Sequence, residues 1–211
     1  TKSIDPMRRR LLGTTGAGLA AAAFGGISSS MGNLRAETSR PLRWGIVGTG
    51  MIANSMARTL KLVPTAELAA VSSRRMASAT AFATTHGAGR AFDSWADMSA
   101  WDGVDAIYIA TPTSVREEIG VAAANSGKHV LGEKPFASLS SLRRIIAACR
   151  ENDVGFMDAT HFVHHPRTAH IRNTMNEKGG WPWSLDSAFQ FNLRDRDNIR
   201  YKPELEPMGA I

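Results

Sequence analysis

Arg43-Trp44-Gly45-Ile46-Val47-Gly48-Thr49-Gly50-Met51-Ile52-Ala53 is the stretch from which the fold is read. A short apolar run enters Gly-x-Gly-x-x-Ala, and a helix-like segment, Asn54 to Leu62, follows. Strand, glycine turn and helix in that order form a dinucleotide-binding turn. Gly48 allows the tight bend, Gly50 leaves room for a pyrophosphate against the backbone, and Ala53 lets the helix pack close on the strand. The backbone of Gly48, Thr49, Gly50, Met51 and Ile52 would then face the phosphates, with the free N–H groups and partial positive charge of a helix N-terminus behind them.

Downstream, apolar runs alternate with helix-like segments about every twenty residues, which predicts a doubly wound parallel α/β sheet of Rossmann type. Strands are expected over Ala66–Ser73, Arg90–Phe92, Val104–Ala110, His129–Gly132 and Val154–Ala159. Helices are expected over Met76–His86, Ser94–Ala100, Thr113–Ser126 and Leu139–Asn152. Ligands of such sheets bind beyond the carboxyl ends of the strands. The second strand ends in Ser73-Arg74-Arg75 with no acidic residue, although an NAD site places Asp or Glu about 20 residues beyond the glycines. Ser73 and Arg74 suit a 2′-phosphate, so NADP is favoured, with NAD as the other possibility. The fifth strand ends in Glu133-Lys134-Pro135. A lysine at the end of a buried strand, partly desolvated beside a cationic nicotinamide, would have a lowered pKa and exchange a proton with a substrate hydroxyl.

Three segments occur together at consistent spacing: Gly45 to Ala53, Asp105-Ala106-Ile107-Tyr108-Ile109-Ala110-Thr111-Pro112, and Gly127-Lys128-His129-Val130-Leu131-Gly132-Glu133-Lys134-Pro135. Together they resemble the Gfo/Idh/MocA oxidoreductase family over residues 42 to 211. The resemblance implies a Rossmann domain (37–160), then an α/β domain with an open, mostly antiparallel sheet, of which 161–211 would be the incomplete start. It implies a tightly held NAD(P) and hydride transfer at a sugar, polyol or cyclic diol carbon. Lys134 would be the catalytic lysine. Glu133 and Pro135 would shape its loop at the nicotinamide, with a cis Lys134–Pro135 bond, and Thr111 and Pro112 would line the cofactor. Arg116 stands where the family often has histidine, which unsettles sugar contacts there. Two other readings stay open: an NAD-dependent glycosidase on the same scaffold, and a nucleotide-binding regulator without catalysis.

Three of the six histidines lie in His161-Phe162-Val163-His164-His165. His161 and His165 are expected to face the substrate. No metal is expected, because no carboxylate or cysteine completes a known ligand pattern there. Pro166 starts a helix to about Lys178, and Ser184–Asn192 alternates as a half-exposed strand. Pro207-Met208-Gly209-Ala210-Ile211 stops where the family continues into a second catalytic motif. The sequence therefore reads as a piece of a protein of roughly 330 to 380 residues, whose full form is expected to be a homo-oligomer.

The distribution of charge argues against a nucleic-acid binder. The 211 residues carry a formal net charge of +6 and are 43% hydrophobic. From Glu37 onward 20 basic residues face 18 acidic ones, a balance of +2, so most of the excess sits in the leader. Nucleic-acid binding should place it in the folded body. Residues 1–36 read as an export signal and linker: Met7-Arg8-Arg9-Arg10-Leu11-Leu12, then a Gly/Ala-rich apolar stretch to Ile27. The arrangement resembles a twin-arginine signal, which implies the twin-arginine export machinery as a partner and a periplasmic address. The single cysteine, Cys149, excludes an internal disulfide and reads as a core residue.

Overall fold

The computed structural model describes residues 40–177, 184, 186, 188 and 195–207. The leader of 1–36, most of the strand expected over Ser184–Asn192, the helix stop at Gly179-Gly180 and the last residues from Met208 lie outside the described residues. Pro41–Ile211 separates from Thr1–Arg40 as a unit of its own.

Six strands form one sheet: β1 (Leu42–Val47), β2 (Ala66–Ser72), β3 (Arg90–Phe92), β4 (Ala106–Ile109), β5 (His129–Gly132) and β6 (Phe156–Asp158). Their spatial order is β3-β2-β1-β4-β5-β6, and every pair is parallel. This is the doubly wound order of a dinucleotide-binding sheet, reversing direction between β1 and β4. The crossovers are α1 (Met51–Leu60), α2 (Met76–His86), α3 (Trp95–Ala100), α4 (Arg116–Asn125) and α5 (Leu139–Glu151). A further helix, α6 (Pro166–Glu177), follows β6.

Side chains alternate across each strand, so the sheet feeds two cores. Ile46, Tyr108 and Leu131 pack with Ala53, Ala57 and Leu60 of α1 and Phe82 of α2. Ile107, Ile109 and Val130 pack on the opposite side with Met98, Ile119, Ala123, Ile145 and Cys149 of α3, α4 and α5. The alternation breaks once. The β1–β2 register shifts between Trp44 and Gly45, and Ala69 and Ala70 both join the second core. An extra residue in one strand has this effect, since it turns two successive side chains to one face. Ile46, Val71, Ile107 and Ile109 are at most 1% exposed; each such side chain contributes about 1.5–3 kcal/mol by leaving water.

Local chemistry sets the helix ends. Ser94 accepts from the Asp97 amide at 3.1 Å and Ser138 from the Ser141 amide at 3.0 Å, so each caps the helix it precedes. Gly87 and Gly127 end α2 and close the turn after α4 with φ of 75° and 71°, a conformation that favours glycine. The differences from the sequence reading lie at element ends. α1 begins at Met51, three residues before the expected Asn54, because extended Gly50 itself serves as the N-cap. The segment after Pro112 starts as a short 3-10 turn, Thr113–Val115, before α4. β4 and β6 are shorter than their apolar runs.

Candidate nucleotide-binding and catalytic edge

The six strands of this sheet are parallel, so their carboxyl ends share one edge, and nearly every candidate from the sequence lies there. The Gly48 amide donates to Ser72 O at 2.8 Å, the Ser73 amide to Phe92 O at 3.0 Å, the Ala110 amide to Val47 O at 2.9 Å and the Glu133 amide to Ile109 O at 3.2 Å. These bonds bring the glycine turn, Ser73-Arg74, Thr111-Pro112 and Glu133-Lys134-Pro135 to the ends of β1, β2, β4 and β5. His161 and His165 follow β6 and are exposed.

The turn after β1 fits a diphosphate. Gly48 has φ of 106°, and a Cβ there would sit 2.8 Å from the Ala110 carbonyl oxygen, so the protein's own backbone demands glycine. Gly50 differs. Its φ is −75°, and a Cβ would meet nothing within 4 Å, so the space beside it is open to an outside group. No side chain caps α1, and Met51 and Ile52 at its start are exposed. The first-turn N–H groups of a helix have no partner within it. Ala53 is 0% exposed, as close helix–strand packing requires. Among the described residues Thr111 Oγ1 is buried with no hydrogen-bond partner, an orphan polar atom of the kind a bound group can satisfy.

The turn is braced from behind. Asn54 Nδ2 donates to the carbonyls of Thr49 at 3.2 Å and Gly50 at 2.9 Å. The amide nitrogen is thereby committed, so its oxygen faces the ring of His86, whose Nε2 lies 2.7 Å away. Nε2 must therefore carry the hydrogen. His86 closes α2 and is buried at 6% exposure. Burial, then the charges of Lys61 and Arg58, push its pKa below the ordinary value.

The Lys134–Pro135 peptide bond is cis. Glu133 is buried and accepts the Tyr108 hydroxyl, whereas Lys134 is exposed. The partial desolvation expected of Lys134 is therefore not supplied by the described residues: the chain turns outward after Glu133. Arg116, which stands where the family often has histidine, is 7% exposed and faces inward: its N–H groups end on backbone carbonyls of Thr111, Glu133 and Pro135.

Among the histidines, His161 and His164 line a cavity of about 340 Å³ with Ile52, Met56, Met157 and Asp158, between α1 and the segment after β6. His165 is not among the lining residues; its Nδ1 accepts from the Arg167 amide at 3.1 Å. His129 Nδ1 accepts from the Gly155 amide at 2.8 Å, a structural role. Ser73 is half-buried and Arg74 exposed, both beside the end of β2.

Sequence reasoning did not single out Asn54, Tyr108 or Glu206. The Glu206 carboxylate is buried and accepts from the backbone amide and the hydroxyl of Thr113. An acid in a polar C-terminal segment carries no signal that it will reach a loop 93 positions earlier.

Comparison with known proteins agrees with this geometry. The profile of the oxidoreductase family with an NAD-binding Rossmann fold matches residues 42–159. The chain is 34% identical over 139 residues to a scyllo-inositol 2-dehydrogenase (NADP(+)) of Bacillus subtilis, covering 65% of this chain and 42% of that protein. It is 33% identical over 166 residues to a D-xylose 1-dehydrogenase (NADP(+)) of Haloferax volcanii, covering 78% of this chain and 51% of that one. Among solved structures, a point variant of a 3-ketoreductase from Actinomadura kijaniata, in complex with TDP-benzene and NADP, aligns with a TM-score of 0.74. Its identity is 28%, and the match covers 79% of this chain and 52% of that chain. The chain thus spans about half the length of these relatives. With its glycine turn, its Glu133-Lys134-Pro135 loop and this profile match, the chain belongs to the Gfo/Idh/MocA oxidoreductase family.

Proposed function

We propose that the chain is the nucleotide-binding part of an NADP-dependent oxidoreductase acting on a sugar, polyol or cyclic diol, with Lys134 as the acid–base group. The observation that carries this reading is the meeting, on one sheet edge, of an open glycine turn at Gly50, an acid-free β2 end and the Glu133-Lys134-Pro135 loop. The names of relatives that use NADP(+) on inositol and xylose support the same class.

The N–H groups at the start of α1 would hold the diphosphate, and Ser73 and Arg74 the 2′-phosphate. Thr111 and Pro112 would line the nicotinamide side. Bound NADP supplies the hydride acceptor, and NADPH the donor. In oxidation, Lys134 Nζ would take the proton of a substrate hydroxyl while the substrate carbon gives up hydride to the cofactor, leaving a carbonyl and an ammonium. In reduction, the ammonium returns that proton to the new alkoxide. His161 would contact the substrate from the segment after β6, and His165 is kept as a second candidate there. Residues 161–211 would open the substrate domain. The leader would send the folded, nucleotide-loaded protein through the twin-arginine route to the periplasm, on the strength of Arg8-Arg9 and the glycine-rich stretch behind them.

The test is a titration of the full-length protein with NADPH and NADH by nicotinamide fluorescence, followed by a screen of sugars, polyols and cyclic diols by nicotinamide absorbance; residues 1–211 alone should bind nucleotide but turn over poorly. Tighter NADPH binding and substrate-dependent redox change are expected. Absence of nucleotide binding would overturn the reading. Turnover without net change in the cofactor would redirect it to the glycosidase alternative.

A further inference from the structure

Arg116 sits at the first position of α4, and its buried guanidinium joins two loops. Nε and Nη2 donate to Thr111 O at 2.9 and 2.7 Å, in the loop after β4. Nη1 donates to Glu133 O at 2.9 Å and also to Pro135 O, in the loop after β5. The two carbonyls of the second loop belong to the residues on either side of Lys134. One planar group therefore holds the backbone flanking Lys134 against the backbone of Thr111. A guanidinium spans this distance because its donors diverge in a rigid fork; an ammonium offers three donors from a single point.

Burial pushes the Arg116 pKa below its ordinary value, and the carboxylates of Glu206 and then Glu133 oppose that shift. Glu133 is itself held by Tyr108, and Glu206 is fixed to Thr113, while Ser114 N donates to Leu205 O at 3.1 Å. A buried cation left without such partners would be costly.

We propose that Arg116 is a positioning residue for Lys134: it sets the spacing between the Thr111 loop and the amine-bearing residue. This rests on the reading of Lys134 as the acid–base group. A misplacement on the order of 1 Å at a reacting group can cost about 100-fold in rate, while the glycine turn and Ser73-Arg74 lie outside the clamp.

The test compares Arg116→Gln and Arg116→Lys with the wild-type protein by hydrogen exchange, NADPH titration and substrate turnover. The amides of Glu133, Lys134 and Phe136 should exchange at least about tenfold faster in Arg116→Gln, with α1 and α2 unchanged. NADPH affinity should stay within about threefold, and kcat should fall about 100-fold. Arg116→Lys keeps the charge but not the fork, so it should fall short of wild type in both loop protection and kcat; it also serves if the glutamine variant does not fold. Unchanged loop exchange overturns the clamp. Faster loop exchange with unchanged kcat overturns the positioning role, as does a kcat loss matched by equal losses of NADPH affinity and thermal stability. Wild-type protein that binds NADPH but turns over no substrate would sink the reading of Lys134 and the positioning role with it; the exchange data would still show separately whether the clamp exists.

Discussion

Tyr108 donates its phenolic hydrogen to Glu133 Oε1 at 2.5 Å in the buried space between β4 and the loop after β5. Tyr108 is 1% exposed and Glu133 5%. Burial, and then the bond to Glu133, hold the phenol well above its ordinary pKa, so it stays a donor. The residue before Lys134 is thus anchored inside the sheet while Lys134 emerges from it. Tyr108→Phe removes the donor and leaves a buried carboxylate oxygen unsatisfied. It should cost about 1–3 kcal/mol of stability, read as a lowered midpoint in denaturant unfolding with an unchanged slope.

Lys134→Met tests the chemistry. The side chain is exposed, so stability should change by less than about 0.5 kcal/mol. NADPH binding should stay within a few-fold, and hydride transfer should fall roughly 10²–10⁴-fold, the usual contribution of a positioned acid–base group. Single-turnover absorbance of the nicotinamide separates the two effects.

If the proposed site is right, the end of β2 should set cofactor choice. Arg74→Ala removes an exposed cation from beside the expected 2′-phosphate. NADPH affinity should fall about tenfold or more, in keeping with a charge-assisted bond, with NADH affinity nearly unchanged. Equal losses for both nucleotides would mean that Arg74 does not read the phosphate.

The two glycines of the turn should respond in opposite ways. Gly48→Ala forces a side chain onto a φ of 106° and against the Ala110 carbonyl, which costs about 1–3 kcal/mol from the backbone conformation alone. Gly50→Ala meets open space, so thermal stability should hold while NADPH affinity falls about tenfold or more, because the methyl group occupies the diphosphate approach. Thermal melts paired with fluorescence titrations distinguish the two.

His86 links stability to pH. Its folded pKa lies below the ordinary 6.5, burial being the main cause. On acidification the unfolded chain binds this proton first, so the unfolded state gains relative to the native one. The contribution is fully present above pH 6.5 and is lost as pH falls from there through the folded pKa. His86→Gln keeps a donor for Asn54 but does not titrate. Its melting temperature should decline less than that of wild type between neutral and mildly acidic pH.

The parts of the site legible in the sequence are those in which neighbours in the chain are also neighbours in space. The glycine turn reads as a turn because Gly48 and Gly50 sit between an apolar run and a helix. The β2 end reads as it does because Ser73 and Arg74 directly follow the strand, and Lys134 stands out because Glu133 and Pro135 flank it. Alternation of apolar runs with helical segments specified the parallel sheet, since each period reflects which face of one element is buried. The element ends shifted by a few residues because capping and turns, rather than hydrophobicity, decide them.

The contacts that tie these pieces together were invisible at that level. Arg116 read as an exchanged sugar-loop residue, yet it turns inward to carbonyls 17 positions away. His86 read as a helix end, yet it braces Asn54 across 32 positions, and Glu206 reaches Thr113 across 93. A side chain's hydrogen-bond partner is fixed by where the sheet order β3-β2-β1-β4-β5-β6 brings distant loops. The sequence by itself determined the fold class and the turn that would hold a nucleotide, because periodicity and glycine geometry act locally. Only the tertiary structure decided how Lys134 is held, because buried polar groups must find partners wherever folding delivers them.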